Sequence, residues 1–263
     1  MWGLAIDGSM ITVRRLCTRG YPLAGMSTAA IVLAGGSGSR TQQAVNKVYL
    51  PIRDRPMLAY SIETFERAPA IDRVVIVIRE DDRKLAEQVL SEIPVSKETI
   101  VVPGGPTRHR SEMAGLTELA PAIESGEVEL VAIHDGARPF LTLDLLEALI
   151  GLAVKGGAVP ALPVEAPLYR VDGEAVEPLP EESLRRMQTP QVFLARPLLD
   201  AYRESVQAGS EGVDTAETIE RFSDLTVRAV PGDPRNIKVT FIEDFFRAEE
   251  WAADWDKGRW TAS

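Results

Sequence analysis

Ala30-Ile31-Val32-Leu33-Ala34 is apolar at every position and empties into Gly35-Gly36-Ser37-Gly38-Ser39-Arg40. An uninterrupted short apolar run, in place of an alternating one, is what a strand buried on both faces presents. Such a strand needs helices above and below it, which restricts the chain to a layered α/β arrangement. The glycines after it let backbone N–H groups approach an anion closely. Arg40 and Lys47 add two cations before Pro51 closes the segment. A strand opening into a glycine-rich cationic loop suits a phosphate, with Ala34, Gly35, Gly36, Ser37 and Gly38 as its candidate contacts. The loop lacks the Gly-Lys-Ser/Thr of a Walker A motif and the third glycine of a dinucleotide fingerprint. Taken alone, it also suits a tight strand-to-helix turn with solvated basic residues.

The rest of the chain repeats the pattern. Arg73 to Ile78, Thr99 to Val102, Leu130 to His134 and Ala158 to Leu162 read as strands. Helical spacing covers Pro56 to Phe65, Asp82 to Leu90, Ser111 to Leu119 and Leu143 to Val154, the last with Thr142 placed to cap it. Alternation at this spacing means βαβ units, hence a Rossmann-like, mostly parallel α/β sheet with helices on both faces. The rhythm breaks at Leu168 to Val176, where Asp172-Gly173 predicts a type I′ β-hairpin, an arm protruding from the body. Helices are expected again at Pro197 to Ser205, Asp214 to Phe222 and Ile242 to Trp255, with a strand at Thr226 to Val230. Residues 1–25 lack this alternation and read as an extension, disordered or arising from an upstream start. Residues 26–263 then form a single domain with its arm at about 163–190.

The chain has 263 residues, a formal net charge of −10 and a sequence pI near 4.9. That balance disfavours nucleic acid or an anionic membrane as the main partner, so an anionic substrate must meet a local cationic pocket. No apolar run reaches the ~18 residues of a membrane span. One cysteine, Cys17, and two histidines, His109 and His134, leave no disulfide framework and no Cys/His zinc cluster, and a cytoplasmic setting is expected.

In an open parallel sheet, ligands bind beyond the carboxyl ends of the strands. The unusual residues of this chain fall there. The third strand ends in Gly104-Gly105-Pro106-Thr107-Arg108-His109-Arg110-Ser111, the fourth in His134-Asp135-Gly136-Ala137-Arg138, and a late segment adds Lys238. Each piece alone suits a solvated turn or a surface ion pair, whereas their common placement points to one shared anionic ligand.

The stretches LAGGSGSR, NKVYLP, GGPTRHRS, HDGARP, RMQTPQ and NIKVT, in this order from Ala29 to about Trp251, resemble the 2-C-methyl-D-erythritol 4-phosphate cytidylyltransferase family. The resemblance implies a CTP-dependent nucleotidyltransferase that joins CTP to a small phosphorylated polyol and releases pyrophosphate. It further implies Arg40, Lys47 and Lys238 as catalytic cations, and Gly104, Gly105 and Ser111 at the cytosine. Asp135 and Ala137 would meet the ribose, and Arg138 with Lys238 the acceptor phosphate. Mg²⁺ is implied as a cofactor held mainly by substrate phosphates, with no protein metal ligands assigned, and so is a homodimer joined through the arm. A chemistry of phosphate on phosphate suits a site rich in Arg and Lys and poor in histidine, because the attacking oxygen is already ionised near neutral pH.

Departures from the family pattern cluster on the acceptor side. Where the family arm usually reads Pro-Val-x-Asp-Thr-apolar-Lys, this chain has Pro163-Val164-Glu165-Ala166-Pro167-Leu168-Tyr169, and Glu181 falls near the usual arm arginine. A different small polyol phosphate or phosphonate as acceptor, and a non-catalytic nucleotide-binding protein, are the alternative readings.

Overall fold

The computed structural model describes residues 2–5, 12–15, 26–36, 46–180 and 184–255. Ser37, Gly38, Arg40, Cys17 and Glu181 lie outside the described residues. Two strands, β1 (Trp2–Ala5) and β2 (Thr12–Arg15), pair as an antiparallel ribbon separate from the main sheet. From residue 26 the order is β3 (Thr28–Leu33), the short pair β4 (Pro51–Ile52) and β5 (Arg55–Pro56), α1 (Met57–Arg67), β6 (Ile71–Ile78) and α2 (Arg83–Glu92). Then come β7 (Glu98–Pro103), α3 (Arg108–Ser125), β8 (Leu130–Asp135), α4 (Leu143–Ala153) and β9 (Gly157–Pro163). The arm is β10 (Tyr169–Asp172) with β11 (Ala175–Pro178). The chain closes with β12 (Arg185–Met187), β13 (Gln191–Leu194), α5 (Ala195–Gln207), α6 (Thr215–Phe222), β14 (Val227–Pro231) and α7 (Ile242–Trp255).

Among the described residues an eight-stranded mixed sheet forms the centre. β7, β6, β3 and β8 run parallel side by side, and β9 with β14 continues in the same direction. β12 and β13 run against them, β12 on β9 and β13 between β8 and β9. The buried run of β3 divides by the pleat: Ala30 and Val32 face one core with α1, α4 and α7, and Ala29 and Ile31 face the other with α3, α5 and α6. The doubly wound α/β fold read from the sequence is therefore the observed one.

Two of the elements read from the sequence differ in detail. Asp172 pairs with Ala175, so the hairpin loop is Gly173-Glu174, with Gly173 at φ +60° and no positive φ at Glu174. That is the type II′ arrangement, with glycine first, because only one of the two loop residues needs the left-handed region. Helix α3 starts three residues earlier than expected, where Thr107 accepts from the Arg110 amide, and runs past Pro121 to a left-handed cap at Gly126. Buried Ala122 and Ile123 on that last turn offset the lost hydrogen bond.

The crossover through α3 matters for function, because β6 lies on one side of β3 and β8 on the other. The chain direction reverses there, and a crevice opens above the strand ends. α3 sits close on the sheet because Gly115 has no side chain: a Cβ there would lie 2.7 Å from Ile31 Cγ2. We expect Gly115→Ala to lower stability by about 1–2 kcal/mol in urea denaturation, since overpacking a rigid core outweighs the gain in helix propensity.

Candidate functional site

Four strand ends meet at the crevice. Leu33 pairs in register with Asp135 and Val77, and Ile78 with Pro103. Backbone bonds tie the adjoining turns together: the Ala34 amide donates to the Val77 carbonyl at 2.7 Å, the Gly136 amide to the Leu33 carbonyl at 3.0 Å, and the Gly104 amide to the Ile78 carbonyl at 2.7 Å. Ala34, Gly35, Gly104, Asp135 and Ala137 are thus brought to one edge, as their sequence positions predict.

The Gly104-Gly105 turn closes over the start of α3. The Gly105 amide donates to Ser111 Oγ at 3.2 Å, and that hydroxyl lies 3.0 Å from the Thr107 carbonyl. Any side chain on either glycine would collide, since a Cβ on Gly104 would sit 2.7 Å from Ser111 Oγ and one on Gly105 2.3 Å from Arg110 Cβ. The result is a narrow shelf of backbone groups and one hydroxyl, suited to the polar edge of a planar base. His109 does not line it: its ring stacks on Tyr202 at 4.6 Å and bonds Ser205 Oγ at 2.9 Å.

On the other side of the crevice, Asp135 is the hub of a cationic cluster. Its carboxylate lies 3.1 Å from Lys238 Nζ, 3.3 Å from Arg108 Nη2 and 3.5 Å from Arg138 Nε. Burial alone would raise the Asp135 carboxyl, but Arg108, Lys238 and Arg138 together hold it far below the usual carboxylate range. Asp135 is therefore an anion throughout the neutral range, surrounded by more positive charge than it can neutralise. Arg108 lies within a motif singled out in the sequence, yet its place under Asp135 follows only from the helix start at Thr107.

The loop that carries Lys238 is anchored from the segment between β12 and β13. Gln188 Nε2 donates to the carbonyls of Asp233 and Asn236 at 2.8 and 3.0 Å, Asn236 Nδ2 donates to the Thr189 carbonyl at 2.8 Å, and Arg138 Nη1 donates to the Asn236 carbonyl at 2.8 Å. The Val239 amide donates to the Ala137 carbonyl at 2.8 Å. Lys47 begins a 3₁₀ turn, Lys47–Tyr49, whose cap Asn46 donates to the Ala34 carbonyl at 2.6 Å and to Asp82 at 3.0 Å. Asn46 thus ties the base of the Lys47 turn to the end of β3. Asn46, Arg108, Gln188, Thr189 and Asn236 carry no individual signal in the sequence, although each lies in or beside a quoted motif. Among the described residues no three His, Cys, Asp or Glu side chains converge as a metal cluster.

His134 explains how the edge is held rigid. The Arg138 carbonyl, 3.1 Å from Nε2, can only accept, so Nε2 carries the proton and Nδ1 accepts from the Thr189 hydroxyl at 3.2 Å. That hydroxyl in turn accepts from the Asp135 amide at 3.0 Å. Burial, only partly opposed by the Asp135 carboxylate, pushes the ring down to about 4. An unfolded chain takes up this proton near pH ~6.5. Stability present above that value therefore falls as pH drops towards 4 and levels off below it. Between pH 7 and pH 5 the wild-type protein should lose roughly 2 kcal/mol more than His134→Gln does, as read by urea denaturation at each pH.

Comparison with known proteins agrees with this geometry. The family model described as 2-C-methyl-D-erythritol 4-phosphate cytidylyltransferase matches residues 28–253. A relative of that name from Geobacillus kaustophilus is 37% identical over 226 residues, covering 85% of this chain and 96% of the relative. The crystal structure of 4-diphosphocytidyl-2C-methyl-D-erythritol synthase from Anaerococcus prevotii superposes with a TM-score of 0.77 at 28% identity, covering 88% of this chain and 98% of that one. The 2-C-methyl-D-erythritol 4-phosphate cytidylyltransferase of Thermus thermophilus superposes with a TM-score of 0.66 at 27% identity, covering 87% of this chain and all of that one. With its crevice, its Gly104-Gly105 shelf and its Asp135 hub in the matched region, this chain belongs to the 2-C-methyl-D-erythritol 4-phosphate cytidylyltransferase family.

Proposed function

We propose that this protein transfers the cytidylyl group of CTP to the phosphate of 2-C-methyl-D-erythritol 4-phosphate. An acceptor phosphate oxygen attacks the α-phosphorus, the bond from that phosphorus to the bridging oxygen breaks, and pyrophosphate leaves. The observation that carries the reading is the Asp135 hub, where three cations gather at a strand end across the crevice from the Gly104-Gly105 shelf. A reaction between phosphates needs no strong base, only charge placed where it develops. His134 and His109, both buried and bonded within the fold, are accordingly left to structure.

The family resemblance supports the following roles. Gly104, Gly105 and Ser111 read the cytosine, and Asp135 with Ala137 meets the ribose. The backbone of residues 34–38 cradles the triphosphate with Arg40 and Lys47, which stabilise the transition state. Arg138 and Lys238 take the acceptor phosphate. Mg²⁺ would be held mainly by oxygens of the triphosphate and would supply charge neutralisation there. The domain is taken as residues 26–263, with residues 1–25 as an extension beyond the matched region and a cytoplasmic setting for the whole. No helix of the described residues is long and apolar enough to cross a membrane.

The arm supports a homodimer. All eight residues of β10 and β11 are exposed, with Val171 and Val176 at 67% and 62%. An isolated two-stranded hairpin is marginal in water, so it gains from a covering surface. A second copy supplies one.

Pyrophosphate release should require both CTP and 2-C-methyl-D-erythritol 4-phosphate; wild-type protein that turns over only with another nucleotide or another polyol phosphate would refute the reading. In the same assay Lys47→Ala should lower kcat by roughly 10²-fold or more, with CTP affinity changed far less. Sedimentation should show a dimer at micromolar concentration, shifted to monomer by Val171→Asp with Val176→Asp.

A further inference from the structure

Glu112 is a buried carboxylate that the proposed reaction does not use. It follows Ser111 on α3 and is 1% exposed. A charge removed from water this completely is costly unless several groups bond to it, and here several do. The Tyr202 hydroxyl donates to Oε2 at 2.6 Å and the Thr215 hydroxyl donates to Oε1 at 2.9 Å. Arg108 Nη2, one helical turn back, lies 3.2 Å from Oε1. Tyr202 is itself fixed by the stacked His109 ring. Burial pushes the Glu112 carboxyl up, with Arg108 and the two hydroxyls opposing it.

The guanidinium of Arg108 is the link to the site. Its Nη2 is 3.2 Å from Glu112 and 3.3 Å from Asp135, almost midway, and neither Nη2 nor Nε makes a well-aligned hydrogen bond among the described residues. Arginine and a lone carboxylate ordinarily close into a two-pronged pair, which would consume the Asp135 lone pairs. The second carboxylate, competing for the same Nη2, holds that pair open.

We propose that Glu112 is a positioning residue that draws Arg108 back from Asp135 and so keeps the Asp135 carboxylate available to a ribose hydroxyl. The inference rests on the ribose role assigned to Asp135 above. Neutralising Glu112 releases Arg108 onto Asp135, and the nucleotide then loses a charge-assisted hydrogen bond at the sugar while the base shelf and the phosphate cations stay in place.

Calorimetry with CTP and 2′-deoxy-CTP tests this without needing the acceptor. Wild-type protein should prefer CTP, and Glu112→Gln should reduce that preference by roughly tenfold, the loss of one hydrogen bond to a charged group. Arg108→Gln should leave the preference in place, because no guanidinium remains to close onto Asp135, and adding it to Glu112→Gln should restore the preference. An unchanged preference in Glu112→Gln, an equal weakening of both nucleotides, or a double variant no better than Glu112→Gln alone would each overturn the proposal. Should Glu112→Gln fail to fold, Tyr202→Phe removes one anchor of the same carboxylate and should cut the preference severalfold, an unchanged value again overturning it. Wild-type protein that binds neither nucleotide would instead overturn the reading of the reaction, and this inference with it.

Discussion

A single buried anion, Asp135, organises the functional edge of this protein. Its carboxylate stands at the end of β8 with Arg108, Arg138 and Lys238 around it, three cations brought from α3, the β8–α4 connection and the segment before α7. None of the three would be stable close together in a half-buried crevice without it, because like charges at such separations repel strongly away from bulk water. The anion thus assembles a positive pocket on an acidic chain. The phosphates of the proposed reaction would meet there a surplus of charge that is already oriented, which is the property phosphoryl chemistry asks of a protein.

That arrangement depends on the sheet. Parallel strands on both sides of β3 bring their carboxyl ends to one edge, and the crossover through α3 places the crevice between β3 and β8. The reversed strands β12 and β13 have a separate task. The Gln188-Thr189 stretch between them grips the loop around Asn236 and the amide of Asp135 together, so the segments that carry Lys238 and Asp135 are tied to each other. His134 completes the lock as a neutral ring whose two nitrogens have fixed and opposite roles.

Much of this is legible in residue order. The apolar run of β3, the βαβ alternation, the Thr142 cap and the glycines at strand ends follow from local rules of burial, period and turn chemistry. The arm is legible as a hairpin, though its loop lies one residue later, at Gly173-Glu174, because the strand register and not the Asp-Gly pair decides which residues turn. β12 and β13 are not legible. Arg185–Met187 and Gln191–Leu194 are short, and nothing in so few residues tells that a strand will run against its neighbours.

Sequence alone determined the class of fold, the edge at which the candidate site residues gather and the identity of most of them, because each depends on neighbours close along the chain. Only the tertiary structure decided which charges meet. Arg108 could equally have pointed to solvent, and Glu112, one residue past the candidate Ser111, reads locally as an ordinary helical glutamate. Their meeting with Asp135, Tyr202 and Thr215 joins residues up to 103 positions apart. Pairing at that distance is set by how α5 and α6 pack on α3, and packing is a property of the whole core.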